Sequence, residues 1–378
     1  MTGKEELQDT ARWVIPRDER LFIDRLRGLS IIRVVLVHLG LSWFFPPYSQ
    51  FFHNLLPVLF FVSGAVSHFS YLRSMNAGHY LLKRFLSMVG PFYIIGFSSI
   101  LIYCLINLQS PEFDFFAIVR WLTVIPSNAD TPFPMGQVWF IHAMVIIVII
   151  SFPFFVISKA SVAPLILCAI GSFIISLAHQ AYDINSYFYF FGHNLYQGVV
   201  NLGFFAFGAL YYRKEHWFSF SVLGSLAIIV FIVFAYNIFS LNVDINMANH
   251  SYAPDSYYLS ASFLAIFLVL LAKPIINNVL NYLVFFDKFV LFFSKHAYSI
   301  FIIHSFSVYW LEVQFSLVDV ASNVYLALIK VISVFIISSV LAIPTTWLSK
   351  KLTNALQSFI LGGSRRSDPI EAEKVKSS

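Results

Sequence analysis

The stretch VWFIHAMVIIVIISFPFFVI (138–157) holds twenty consecutive residues without Asp, Glu, Lys or Arg. An α-helix of about 20 mostly apolar residues crosses the hydrocarbon core of a bilayer. The apolar residues run on continuously instead of alternating with polar ones, which excludes a strand of a transmembrane β-barrel. This stretch therefore predicts a membrane-spanning helix.

The whole chain has the composition of a membrane protein. Of its 378 residues, 58% are hydrophobic and 11% are charged, and the mean hydropathy is +0.76. A soluble domain usually carries about 25% charged residues, and a soluble protein of this length has too little interior to hide so much apolar surface. The composition excludes a cytosolic enzyme, a nucleic-acid-binding protein and a disordered protein.

Similar apolar stretches recur along the chain. They predict ten membrane-spanning helices, near 29–46, 51–72, 86–108, 138–157, 162–180, 196–212, 218–240, 257–273, 296–314 and 322–347. The segment 274–295 is apolar but interrupted by Asn and charged residues, so it predicts a re-entrant or interfacial helix. We expect an all-α membrane protein, a polytopic bundle of about ten transmembrane helices. It would have a lead-in over 1–28, a membrane domain over 29–347 and a tail over 348–378.

The distribution of positive charge predicts the orientation of this bundle. If the N-terminus lies in the cytoplasm, 21 of the 24 Lys and Arg residues fall on the cytoplasmic side, as the positive-inside rule requires. Both termini are therefore expected in the cytoplasm. His, Cys, Asp and Glu show no metal-binding spacing, so we expect no metal site.

Two ionisable residues at the first predicted span are spaced so that they lie on the same face of an α-helix. Arg27 and His38 are eleven residues apart, and on an α-helix eleven residues rise about 16 Å and return to within about 20° of the starting face. Ionisable groups in a bilayer cost about 2.5–3.5 kcal/mol each on insertion scales, which makes them candidates for a functional site. Arg27 would hold an anionic carrier such as a coenzyme A thioester at the inner mouth, and a neutral His38 would take the proton of an acceptor hydroxyl. The alternative is a histidine hydrogen-bonded to a neighbouring span and an arginine that only anchors the helix.

Five sequence segments together carry a family resemblance. Asp24-Arg25-Leu26-Arg27-Gly28, followed by His38, resembles the opening signature of the acyltransferase family three membrane proteins, an arginine and a histidine separated by ten residues. Four further segments resemble later family motifs in the same order: LPVLFFVSGAV (56–66), YLLKRFLSMVGPFYII (80–95), GQVWFIHAMV (136–145) and HAYSIFIIHSF (296–306). The resemblance covers about residues 20–350.

The resemblance implies an acyl-CoA-dependent membrane O-acyltransferase. Known members transfer acyl groups, mostly acetyl and sometimes succinyl or longer, from acyl-CoA to hydroxyls of carbohydrates or glycolipids. By this resemblance His38 is the catalytic histidine and Arg27 its donor-side partner. Direct transfer and an acyl-histidine relay across the membrane remain open alternatives, as does the side on which the acceptor is modified.

Further residues are weaker candidates for substrate contacts. Lys83 and Arg84 would bind the phosphates of coenzyme A, or simply anchor the third span. Trp139 and His142 share a helix face and would bind the sugar, or they would belong to the aromatic belt at the membrane interface. His304 would also contact the sugar, or it would be a histidine hydrogen-bonded within the helix bundle. Two departures from the family pattern bear on the site: Ser87 stands where many members have another arginine, and Arg33 where an aliphatic residue is usual.

Two other classes of function are alternatives to an enzyme. A secondary transporter or flippase for a glycan precursor commonly shows paired halves with broken helices in matching positions, and the sequence shows no such pairing. A non-catalytic membrane scaffold leaves the cost of a histidine and an arginine within one span unexplained. The sequence therefore favours the acyltransferase, with the transporter as the alternative.

Overall fold

The computed structural model describes residues 15–39, 56–74, 77–107, 115–124, 138–190, 193–315, 317 and 323–360. The first fourteen residues of the predicted lead-in and residues 361–378 of the predicted tail lie outside this described part of the chain. Nearly all of the regular structure within it is α-helical, and its one sheet is a two-stranded hairpin.

The elements follow one another in a simple order. The first half of the chain forms α1 (Arg17–His38), α2 (Leu56–Leu72), α3 (Ala77–Asn107), α4 (Phe115–Leu122), α5 (Trp139–Ser158), α6 (Ala163–Tyr182), β1 (Tyr189–Phe190) and β2 (His193–Asn194). The second half forms α7 (Tyr196–Arg213), α8 (Phe220–Phe239), α9 (Met247–Ser251), α10 (Ser256–Leu271), α11 (Lys273–Tyr282), α12 (Val284–Lys295), α13 (Ala297–Phe315) and α14 (Val324–Ile360).

A helix overlaps each of the ten predicted spans, but not all of these helices have the length and hydropathy of a membrane crossing. Five do, namely α3, α5, α6, α8 and α14, and two bent helix pairs raise the number to seven. The protein is thus a multi-pass, all-α membrane protein. Ten crossings and the cytoplasmic location of both termini stay predictions.

The bundle is built around α7. Almost every side chain of α7 is buried, and the helix packs against α2, α5 and α6. On α6 and α8 large apolar side chains point outward, among them Leu167 and Ile174 at 66% and 61% exposed and Ile228 at 62%. Because a monomeric soluble protein rarely exposes such patches, these faces fit contact with lipid.

The segment 274–295, predicted to be a re-entrant or interfacial helix, forms the two short helices α11 and α12, and its position relative to the membrane stays a prediction. The chain bends by 61° between α10 and α11 and by 91° between α12 and α13, and Pro274 stands in the first turn of α11, where a missing N–H costs nothing. Buried Arg25 holds this segment to α1. Its Nε and Nη2 donate to the two carboxylate oxygens of Asp287 at 2.8 and 3.0 Å, and its guanidinium also donates to Asn277 and Asn281.

Helix α1 begins earlier than predicted, at Arg17 instead of near residue 29. Pro16 precedes it, and Asp18 and Glu19 lie in its first turn, where negative charge favours a helix N-terminus. Residues 17–28 of the predicted lead-in are therefore part of the first helix, and Arg25 and Arg27 lie within a regular helix instead of at its start.

Two glycines allow the backbones of α2 and α7 to touch. A Cβ added at Gly64 would lie 1.8 Å from the carbonyl oxygen of Phe205, and a Cβ added at Gly208 would lie 1.9 Å from the carbonyl oxygen of Phe61. Each glycine thus faces the main chain of the other helix. Small residues at a helix interface are the usual basis of close packing in membranes, where apolar burial against lipid gives little driving force.

We expect Gly64→Ala to destabilise the protein by about 1–3 kcal/mol, because a main-chain carbonyl cannot move aside for the added methyl group and the helices must separate. Gly171→Ala is the matched control, since a Cβ there meets nothing within 4 Å; it should leave the melting temperature unchanged or raise it. Thermal unfolding in detergent measures both. A Gly64→Ala protein as stable as the wild type would contradict the close contact.

Candidate active site

His38 forms a pair with His304. His38 is the last residue of α1, and His304 lies in the middle of α13, 266 residues later in the chain. The Nδ1 atom of His38 lies 2.7 Å from Nε2 of His304, and the two rings are nearly parallel, with centroids 4.9 Å apart. His38 is exposed, whereas His304 is completely buried. His38 thus contacts a neighbouring helix through a second histidine, and its catalytic role stays a prediction.

The hydrogen bonds of the pair assign its tautomers. Nδ1 of His304 lies 3.1 Å from the carbonyl oxygen of Ile300, and a carbonyl can only accept, so this nitrogen carries the proton. In a neutral His304 the Nε2 atom is then the acceptor, and His38 must donate to it from Nδ1. The remaining nitrogen of His38, Nε2, consequently keeps a free lone pair. This arrangement leaves His38 poised to accept a proton.

Arg27 lies at a second centre, a cavity with a volume of about 350 Å³. Five basic side chains from four helices line it, namely Arg27 of α1, Lys83 and Arg84 of α3, Lys295 of α12 and Lys350 of α14. Among the described residues no Asp or Glu lines this cavity, while Ser63, Ser87 and Ser349 add hydroxyl groups. Such a surface suits an anion with several negative oxygens. We call it the cationic cavity.

The cations of this cavity are only partly neutralised by the protein. Arg27 donates to Asp24 at 3.1 Å, in a pair that is 25% and 35% exposed. The Nε atom of Arg84 is buried without a hydrogen-bond partner among the described residues. Because the Arg27–Asp24 pair is partly exposed to solvent, a ligand anion can replace Asp24 at modest cost. Both arginines are therefore available to a ligand.

The structure brings some of the predicted site residues together and separates others. Arg27, Lys83 and Arg84 meet in the cationic cavity, as their predicted roles require. His38 and His304 meet at the other end of α1 and do not line that cavity. The rise of α1 between Arg27 and His38 is about 16 Å, so the two centres occupy opposite ends of one helix segment.

Trp139 and His142 lie on α5, close to the start of that helix. His142 is buried, with its Nε2 2.8 Å from Nδ1 of His193 in β2. The ring of Trp139 packs edge-on against Phe140, which contacts Phe301 next to His304. An aromatic path therefore joins Trp139 to the histidine pair, while sugar binding by Trp139, His142 and His304 stays a prediction.

Sequence reasoning missed two cations of the cavity. The sequence predicted only a cytoplasmic location for Lys295 and Lys350, because both belong to helices that are distant in sequence from Arg27. The available signal was their position at the predicted cytoplasmic ends of spans, which they share with Lys83 and Arg84.

The fold and the site define a multi-pass membrane protein in which one helix joins a cationic cavity to a histidine with a free ring nitrogen. The chain belongs to acyltransferase family 3, since the family model described as "Acyltransferase domain" matches residues 20–348. The protein is accordingly a membrane acyltransferase, which requires the bilayer and an acceptor substrate. Comparison with curated proteins and with solved structures finds no significant match.

We expect the cationic cavity to bind polyphosphate compounds, and Lys350→Gln to weaken that binding about two- to five-fold, the usual contribution of one exposed charge. Lys351→Gln is the matched control, because Lys351 lies over the ring of Trp347 and does not line the cavity. The probe is inorganic tripolyphosphate, and the measurement is the rise in melting temperature with its concentration. Equal weakening by both variants would show nonspecific charge attraction instead of a site.

Proposed function

We propose that this protein is a bacterial-type inner-membrane O-acyltransferase that moves an acyl group from acyl-CoA to a hydroxyl of a carbohydrate or glycolipid. The observation that carries the proposal is the joint placement of the two centres on α1, with the cationic cavity at Arg27 and the free Nε2 of His38 about 16 Å further along the helix. Coenzyme A has its phosphates at one end and its thioester at the other, so it fits an elongated site of this kind.

The cationic cavity would receive the phosphates of the donor. All five of its basic side chains belong to the set that the positive-inside rule assigns to the cytoplasm, which is where acyl-CoA is available. Arginine and lysine both suit phosphate oxygens, arginine through its planar fork and lysine as a point charge. The serine hydroxyls of the cavity would add hydrogen bonds.

His38 would act as the general base. Its Nε2 lone pair takes the proton of the acceptor hydroxyl while the hydroxyl oxygen forms a bond to the thioester carbon. The tetrahedral intermediate then collapses, the carbon–sulfur bond breaks, and the proton on Nε2 passes to the sulfur of coenzyme A. The products are the ester and free coenzyme A, so atoms and charge balance.

His304 would orient and support this base. Accepting from Nδ1–H of His38 fixes the tautomer that leaves Nε2 free, and the same hydrogen bond strengthens once His38 becomes positively charged. His304 thus has the orienting role that a buried carboxylate has in a Ser-His-Asp triad, with a neutral ring in place of an anion.

We expect His38→Ala to lower release of free coenzyme A at least about 100-fold, which is the low end for loss of a general base, with folding unaffected. Purified wild-type and variant proteins would be given acetyl-CoA and then succinyl-CoA with a panel of sugar acceptors, and the thiol followed with time. His304→Phe keeps a ring of similar size but cannot accept the hydrogen bond, so kcat should fall while KM for the donor stays unchanged.

His216→Ala is the matched control for these histidine variants, because His216 lies in a short 3-10 turn (Glu215–Trp217) outside both centres. It should release thiol at the wild-type rate. Undiminished turnover in His38→Ala, with correct insertion, would contradict the assignment of the base. No consumption of any acyl-CoA by the wild type would contradict the donor.

A further inference from the structure

Arg33 is a buried cation, and no described residue accepts a hydrogen bond from two of its three guanidinium nitrogens. Its side chain is 9% exposed, and its Nε and Nη2 atoms are buried with no hydrogen bond. The acidic residue of α13, Glu312, is already held by Lys330 at 2.7 Å, and residues 40–55, which follow α1, contain no Asp or Glu. An isolated buried charge is strongly unfavourable, and no described residue neutralises Arg33, so its position favours an anion supplied by a ligand.

Arg25 on the same helix shows what kind of anion fits. The Nε and Nη2 atoms of an arginine form a fork that matches the two oxygens of a carboxylate. Arg25 uses this fork to bind Asp287 at 2.8 and 3.0 Å. In Arg33 the same two atoms are the unpartnered ones. The vacant fork is therefore shaped for a carboxylate.

Tyr258 of α10 adds a second polar group beside Arg33. It is 1% exposed, its hydroxyl has no hydrogen-bond partner among the described residues, and it lies within electrostatic range of Arg33. One guanidinium and one neutral hydroxyl match a singly charged group, whereas a phosphate would carry more charge and finds five cations in the cationic cavity. Arg33 also lies within electrostatic range of His38, the proposed base.

The position of Arg33 along α1 favours the donor as the source of the carboxylate. Arg33 lies about 9 Å beyond Arg27 and about 7.5 Å short of His38 along α1, so a short acyl chain that leaves a thioester at His38 would reach Arg33 by turning back along the helix. The helix turns by about 140° between Arg33 and His38, so an acyl chain would bend sideways toward α10. An acidic sugar, the other source of a carboxylate, would approach from the end of α1 at His38.

We propose that Arg33 and Tyr258 form a subsite for a carboxylate at the far end of the transferred acyl group, so that the donor is the thioester of a dicarboxylic acid, such as succinyl-CoA. This inference rests on the proposed function, because it takes acyl-CoA as the donor. Arg33 and Tyr258 would contribute specificity for the acyl chain, and His38 would still perform the proton transfer.

Binding to the full-length His38→Ala protein in detergent tests the subsite without turnover. The probes are succinyl-CoA and butanoyl-CoA, which have four acyl carbons each and differ in the terminal carboxylate. Succinyl-CoA should bind about 10- to 100-fold more tightly, as expected for charge-assisted hydrogen bonds in a buried site. Adding Arg33→Met should remove this preference and leave the affinity for butanoyl-CoA within about two-fold, while Tyr258→Phe should reduce the preference about three- to ten-fold.

Each outcome separates the subsite from the proposed reaction. Equal affinities for the two thioesters in the presence of Arg33 would overturn the subsite and leave the acyltransferase proposal intact; glucuronate binding that depends on Arg33 would then assign the carboxylate to the acceptor. A succinyl preference without thiol release in the wild type would support the subsite and overturn the reaction. No binding of either thioester would overturn both.

A folding control accompanies the Arg33 variant. Because Arg33 has no partner among the described residues, Arg33→Met should raise the melting temperature of the ligand-free protein. If Arg33 instead formed a structural ion pair, the substitution would break that pair and lower the melting temperature. If Arg33→Met fails to fold, Arg33 has a structural role, and the proposal that its guanidinium is vacant for a ligand is overturned. The two-thioester comparison and Tyr258→Phe stand independently of that variant.

Discussion

The hydrogen bond between His38 and His304 joins the two parts of the chain on which the candidate chemistry depends. It fixes the end of α1 against the middle of α13, and it decides which nitrogen of His38 remains free. A proton acceptor in an apolar bundle must be neutral at rest and supported once it is charged. The second histidine meets both needs without placing a permanent charge beside the base.

Helix α1 supports this pair and also carries Arg25, Arg27 and Arg33. Arg25 ties it to α11 and α12, and Gly28 permits α12 to approach so closely that a Cβ would lie 2.0 Å from the carbonyl oxygen of Val290. Arg27 then faces the cationic cavity, while Arg33 remains unpartnered further along. Helix α1 also packs against α2 and α13.

Part of this site was predictable from the sequence, and the rest depends on contacts between helices that are distant in the sequence. The positive-inside rule and helical spacing predicted that Arg27, Lys83 and Arg84 lie on one side of the bundle and that His38 lies deeper on the face of Arg27. Spacing within one helix does not tell which distant helix faces it, so the contact of His38 with His304 and the contribution of Lys350 required the tertiary structure. The same limit applies to His142, whose partner His193 comes from the short hairpin. The positions of the long apolar helices were predictable from the apolar stretches, whereas the start of α1 at Arg17 depends on Pro16 and the acidic first turn.

The most direct test of the central claim is the position of a bound donor. Cryo-electron microscopy of the His38→Ala protein with an acyl-CoA would locate the phosphates and the thioester in one experiment. The account predicts phosphates in the cationic cavity between Arg27, Arg84 and Lys350, and a thioester that extends along α1 to His304. Phosphates at the opposite end of α1, or a nucleotide bound outside the cavity, would contradict it.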